Sequence, residues 1–90
     1  MPDLIYRQNP RTAGRVIDGL AFVVTPDDNK LHSLNPTGTY IWLLAENGRT
    51  IAEVAASLAQ RFDVDPDRAR GDAARFCEDL RSRGILEVVA

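Results

Sequence analysis

Early in the chain short apolar runs are broken by turn residues, and beyond residue 50 the apolar positions recur every three or four residues. Short apolar runs bounded by turn residues suit strands and a period of 3.6 suits helices, so strands come first and helices follow. Arg15-Val16-Ile17 is followed by Asp18-Gly19 and then by an apolar run from Leu20 that ends at Thr25. Asp-Gly supplies the positive φ angles that a two-residue type I′ turn requires, which predicts a hairpin. In its second strand Leu20, Phe22 and Val24 fall on one face, Ala21 and Val23 on the other. Pro26-Asp27-Asp28-Asn29 is a second turn, and Lys30 to Leu34 predicts a third strand. Three strands joined in this way make an antiparallel meander whose first and third members are edges.

Asn35 is placed to cap a helix, with Pro36 at the first helical position, where its missing N–H costs nothing. This helix is predicted to run to about Ala45. Thr50-Ile51-Ala52-Glu53 has the spacing of a capping box and opens a second helix with a stripe of Ile51, Val54, Ala55, Leu58 and Phe62. Asp65-Pro66 begins a third that ends near Arg83, just before Gly84, with Ala69, Ala73, Phe76, Cys77 and Leu80 on one side. Ile85 to Val89 is apolar enough to dock or to add a short strand. The expected core is Phe22, Val24, Leu34, Ile41, Leu44, Val54, Leu58, Phe62, Phe76 and Leu80, with Trp42 largely buried. Residues 1–12 hold two prolines and no period, and are expected to form a flexible N-terminal arm before a single domain of residues 13–90. The predicted class is α+β, winged-helix-like: a three-stranded antiparallel meander followed by three helices.

Ninety residues hold one small core. A net charge of −2, from 11 basic and 13 acidic residues, provides no general attraction to nucleic acid or anionic membrane. No apolar run approaches the roughly 20 residues that span a bilayer. Met1-Pro2-Asp3-Leu4-Ile5 lacks the start of a signal peptide, and a lone cysteine suits a reducing compartment, so a cytoplasmic location is expected.

Candidate chemistry is sparse. One histidine, His32, lies on a strand, and Cys77 lies within a helical apolar stripe, so both read as structural. One of each cannot build a zinc site, and there is no glycine-rich phosphate loop. Neither enzymatic activity nor a cofactor or metal is expected. The second and third helices invite a DNA-binding reading, because the third carries Arg68, Arg70, Arg75, Arg81 and Arg83. It carries Asp67, Asp72, Glu78 and Asp79 as well, which leave its charge near balance.

The order of these features resembles the PqqD-like family, named for pyrroloquinoline quinone biosynthesis protein D. The likeness spans roughly residues 6 to 87 and rests on Leu34-Asn35 followed by Gly38 and Ile41-Trp42. Asp18-Gly19, Arg49-Thr50, Phe62-Asp63-Val64-Asp65 and the spacing of Asp72, Phe76 and Leu80 before Gly84 support it. The resemblance implies a peptide chaperone, or recognition element for ribosomally made and modified peptides, that holds a precursor's leader for a modifying enzyme. The usual enzyme for the family is a radical S-adenosylmethionine enzyme, and the broad family form does not select the quinone pathway. It further implies that the leader lies against Lys30, Leu31, His32, Ser33 and Leu34 of the third strand. On the third helix Asp72, Arg75, Phe76 and Asp79 are the candidates. Physical chemistry allows this mode, since a bare strand edge beside a helix makes two walls of a groove. A winged-helix DNA-binding regulator and a structural subunit of an enzyme complex are the alternatives.

Overall fold

A computed structural model describes residues 4–89. The hairpin forms as the Asp-Gly pair predicts: β2 (Ala13–Ile17) and β3 (Leu20–Thr25) are joined by Asp18 and Gly19 at φ 53° and 81°. Asn29, at φ 55°, completes the next turn, after which β4 (Lys30–Ser33) pairs antiparallel with β3. The sheet order is β2-β3-β4, so β4 is an edge, as is β2.

Three helices follow. In α1 (Pro36–Leu44) the Asn35 side chain accepts from the Gly38 amide at 2.7 Å. In α2 (Ile51–Phe62) Thr50 and Glu53 satisfy each other's backbone amides as a complete capping box. Asp65 caps α3 (Pro66–Ser82), which packs along α2 and buries Ala69, Ala73, Cys77 and Leu80. The predicted strand meander and helix order are therefore present.

A second sheet is added to them. Residues 1–12, expected as a flexible arm, contain β1 (Ile5–Gln8), the central strand of a sheet ordered β5-β1-β6. Its neighbours are β5 (Arg49–Thr50) and β6 (Leu86–Val89), both antiparallel. Only four residues long, β1 has no periodic run to announce it, and its partners lie more than 40 positions away in the chain. Burial of Tyr6 on its inner face, at 4% exposure, is what anchors it. Residues 1–3 of the expected arm lie outside the described residues.

The core also differs from expectation, most of all along β3. Leu34, Ile41, Trp42, Val54, Leu58 and Leu80 are buried as predicted, but β3 turns Ala21, Val23 and Thr25 inward. Phe22 is half-buried and Val24 is exposed. Helix α1 explains this inversion, because it lies so close to the sheet that the Ala21 amide donates to Thr39 Oγ1 at 2.9 Å. Only small side chains fit beneath it. Trp42 comes equally close to β2: a Cβ on Gly14 would stand 2.6 Å from the indole ring. Phe62, another expected core residue, is exposed and meets Tyr40 edge-to-face at 5.7 Å. Leu44 and Phe76 are half-buried.

Candidate functional site

The open edge of β4 can be resolved atom by atom. Register sets Ser33 opposite Phe22, His32 opposite Val23 and Leu31 opposite Val24. The Leu34 amide donates to the Ala21 carbonyl at 2.9 Å, and antiparallel pairs alternate between bonded and non-bonded positions. His32 and Lys30 therefore point their backbone groups at β3. Leu31 and Ser33 point their N–H and C=O groups away from it, to the free side.

Side chains follow the same alternation. Leu31 and Ser33 share the outer face of the sheet with Val24 and Phe22, and Leu31 is 67% exposed. His32 turns to the inner side, where its Nε2 lies 3.0 Å from Thr25 Oγ1, within hydrogen-bond reach. The Thr25 hydroxyl also donates to the Asp28 carboxylate and holds that group below the usual carboxylate range. His32 is thus a brace for the turn before β4, and Lys30 is exposed at the start of the strand.

The far end of β4 is tied to α1 by a buried hydroxyl. Thr39 Oγ1 accepts from the Ala21 amide and donates to the Leu34 carbonyl at 3.3 Å. It occupies the place of the next ladder bond and fixes where β4 ends.

Beyond that end runs the second wall. A cleft of 170 Å³ is lined by Ser33, Leu34 and Gly38 on one side and by Phe76, Asp79 and Arg83 on the other. A further hollow formed by Arg75, Phe76 and Asp79 extends it along α3. Of the four helix residues expected at the site, Phe76 and Asp79 meet the strand across the cleft, and Arg75 borders the extension. Asp72 is not in it. One turn earlier, it forms ion pairs with Arg68 and Arg75. Leu80 and Arg83 line the cleft and were not among the expected residues. The floor is apolar, from Leu34, Phe76 and Leu80, while Asp79 and Arg83 pair at 2.8 Å on its rim. Arg83 could have been found by continuing the i, i+4 and i+7 positions from Phe76 and Asp79 along the same helical face.

Most of the remaining charge of α3 is paired locally, Arg70 being the arginine outside these pairs among the described residues. Arg68 and Arg75 pair with Asp72, Arg81 with Glu78 and Arg83 with Asp79. The Arg81 guanidinium holds Glu78 below the usual carboxylate range. Such a helix offers little positive field to phosphate. Cys77 is fully buried, and burial pushes its thiol up to about 11, which leaves it protonated and inert near neutral pH. Among the described residues no cluster of His, Cys, Asp or Glu is arranged to hold a metal ion. No helix among them is long and apolar enough to cross a membrane.

An antiparallel sheet whose free edge faces a long helix over an apolar floor defines a small winged-helix-like α+β domain. Residues 21–86 match the family described as coenzyme PQQ synthesis protein D (PqqD), and the chain belongs to that family. Solved structures share the fold. TbiB1, solved in complex with the TbiA(β) leader peptide, superposes with a TM-score of 0.83 at 21% identity, over 93% of this chain and 98% of that one. A lasso peptide synthetase B1 complexed with its leader peptide gives 0.79 at 22% identity, covering 91% and 96%. The PqqD truncation of Methylobacterium extorquens PqqCD, a stand-alone recognition element for ribosomally synthesised and post-translationally modified peptides, gives 0.72 at 19%, covering 92% and 88%. No curated protein sequence matches the chain.

Proposed function

We propose that this protein is a non-catalytic peptide chaperone that binds the leader of a ribosomally made precursor and presents it to a modifying enzyme. The observation that carries this reading is the pair of free backbone positions at Leu31 and Ser33 beside the cleft under Phe76 and Leu80. A leader lying along β4 as a fourth strand would exchange main-chain bonds with those residues. Its alternate side chains would enter the cleft between Leu34 and Phe76. Family membership and the leader complexes of similarly folded proteins support the same role.

In this reading Leu31 and Ser33 supply the edge, and Lys30 and His32 hold it in register. Leu34, Phe76 and Leu80 receive apolar side chains, and Asp79, Arg83 and Arg75 select charge on the leader. Asp72 acts through Arg75 by holding its guanidinium. The partner enzyme is expected to be encoded beside the chain, with a radical S-adenosylmethionine enzyme the kind the family resemblance suggests. Both are expected in the cytoplasm, where the precursor is made.

Titration of the isotopically labelled protein with the leader encoded nearest its gene is the test. Binding on the order of micromolar is expected, since a few main-chain bonds and buried side chains must offset the ordering of a flexible peptide. Amide shifts should concentrate at Leu31, Ser33 and the Phe76–Arg83 face. Absence of binding by every neighbouring leader would refute the proposal.

A further inference from the structure

The opposite edge of the same sheet has features that leader binding on β4 leaves unused. All five residues of β2 are exposed, and β3 is its only neighbour. Bond directions alternate along β3. Ala21, Val23 and Thr25 face β4, so Leu20, Phe22 and Val24 bond to β2, taking up Ile17, Arg15 and Ala13. Gly14 and Val16 are left with N–H and C=O groups directed to the free side.

Beside that edge lies a hollow of 730 Å³, against 170 Å³ for the cleft along α3. Gly14, Val16, Trp42 and Leu43 form its apolar wall, and Arg15 and Glu46 its charged margin. Val16 is 42% exposed and Leu43 46%, and both line this one hollow. Gly14 has no side chain, so the Trp42 ring reaches under the strand itself. The Trp42 Nε1 is buried with no hydrogen-bond partner among the described residues.

We propose that the edge of β2 is a second strand-docking site, filled by an extended segment of a partner protein that carries an acidic residue between two apolar ones. The register dictates that pattern. The partner residue opposite Arg15 falls on the outer face of the sheet beside a guanidinium that has no acidic partner among the described residues. The residues on either side of it, opposite Gly14 and Val16, fall on the inner face, over the hollow of Trp42 and Leu43. A second copy of the chain fits less well. The antiparallel register that bonds Gly14 to Val16 of the copy sets the two Arg15 side chains directly opposite each other, where like charges repel. With strands on both edges the sheet would have five, and the two guests would lie about 19 Å apart, four strand spacings. Both sites could then be occupied at once.

The probe is a capped five-residue peptide, threonine-valine-glutamate-valine-threonine, titrated to millimolar concentration into the labelled protein. Amide shifts are expected at Gly14 and Val16, with Leu31 and Ser33 unmoved. A peptide with lysine in place of glutamate should bind at least about three-fold more weakly, the effect of reversing one exposed charge pair. Val16→Pro removes only an N–H that faces solvent, and should abolish these shifts while leader affinity stays within about two-fold. Shifts at Leu31 and Ser33 instead would mean that the probe prefers the leader edge, and would overturn the proposal. So would a silent titration of the folded protein. Concentration-dependent shifts at Gly14 and Val16 without peptide would replace it with self-association. Since the leader titration reads other amides, the two proposals can fail separately.

Discussion

At Ser33 the chain concentrates most of what can be tested with one substitution. Its N–H faces the open edge, so Ser33→Pro removes a bond to the guest without removing one to β3. That variant should weaken leader binding about ten-fold or more, while Ser33→Ala should change it little. His32→Pro would instead break the pairing to Val23 and is expected to unfold the edge. Thr39 is a second such residue. Thr39→Val keeps the shape but leaves the Ala21 amide and Leu34 carbonyl without their partner, a cost of about 1–3 kcal/mol for each buried group. Denaturant midpoints would show the loss, and β4 amides should exchange faster. Trp42→Ala is expected to cost about 3–5 kcal/mol, enough to unfold a domain of this size. Cys77 should resist alkylation in the native protein and react fully in denaturant.

At the scale of elements, legibility in the sequence tracked how locally each element is determined. Asp18-Gly19, Asn35-Pro36 and the Thr50–Glu53 box encode their conformations within four residues, and each forms where expected. The inner face of β3 was misjudged because size alone favours Phe22 and Val24. The decision belongs to α1, whose approach admits only Ala21 and Val23. Of the expected helix wall, Phe76 and Asp79 border the cleft and Arg75 its extension, whereas Asp72 is engaged by Arg68 and Arg75 one turn earlier. The capping box itself carries a pH dependence. The Thr50 amide, and after it the Thr50 hydroxyl, holds the Glu53 carboxyl below its ordinary 4.5. A lowered folded-state pKa contributes stability that is complete above the unfolded value and lost as pH falls through the folded one. Glu53→Gln should therefore be less stable than the parent at neutral pH, with the two denaturation midpoints converging below about pH 4. Gly71, exposed in α3 with nothing near its α-carbon, offers the opposite gain. Gly71→Ala should stabilise the domain by up to about 1 kcal/mol and leave leader affinity unchanged.

Across the whole molecule, the balance of charge separates peptide from nucleic acid as a guest. With Arg68, Arg75, Arg81 and Arg83 paired in place, duplex DNA binding is expected to be negligible at physiological salt, and leader binding should fall only gently as salt rises. Steep salt dependence, lost in Arg68→Ala/Arg75→Ala, would point back to a winged-helix regulator. The second sheet gives the molecule a further property. Ile5 stands opposite Val89, and successive residues pair inward to Gln8 and Leu86, so the free ends of both strands leave the sheet at the same side. Tension applied through the two ends would load those bonds one after another, like the teeth of a zipper, rather than all together in shear. Strands joined this way would part in order under a mechanical pull, opening from the Ile5–Val89 pair toward Gln8 and Leu86.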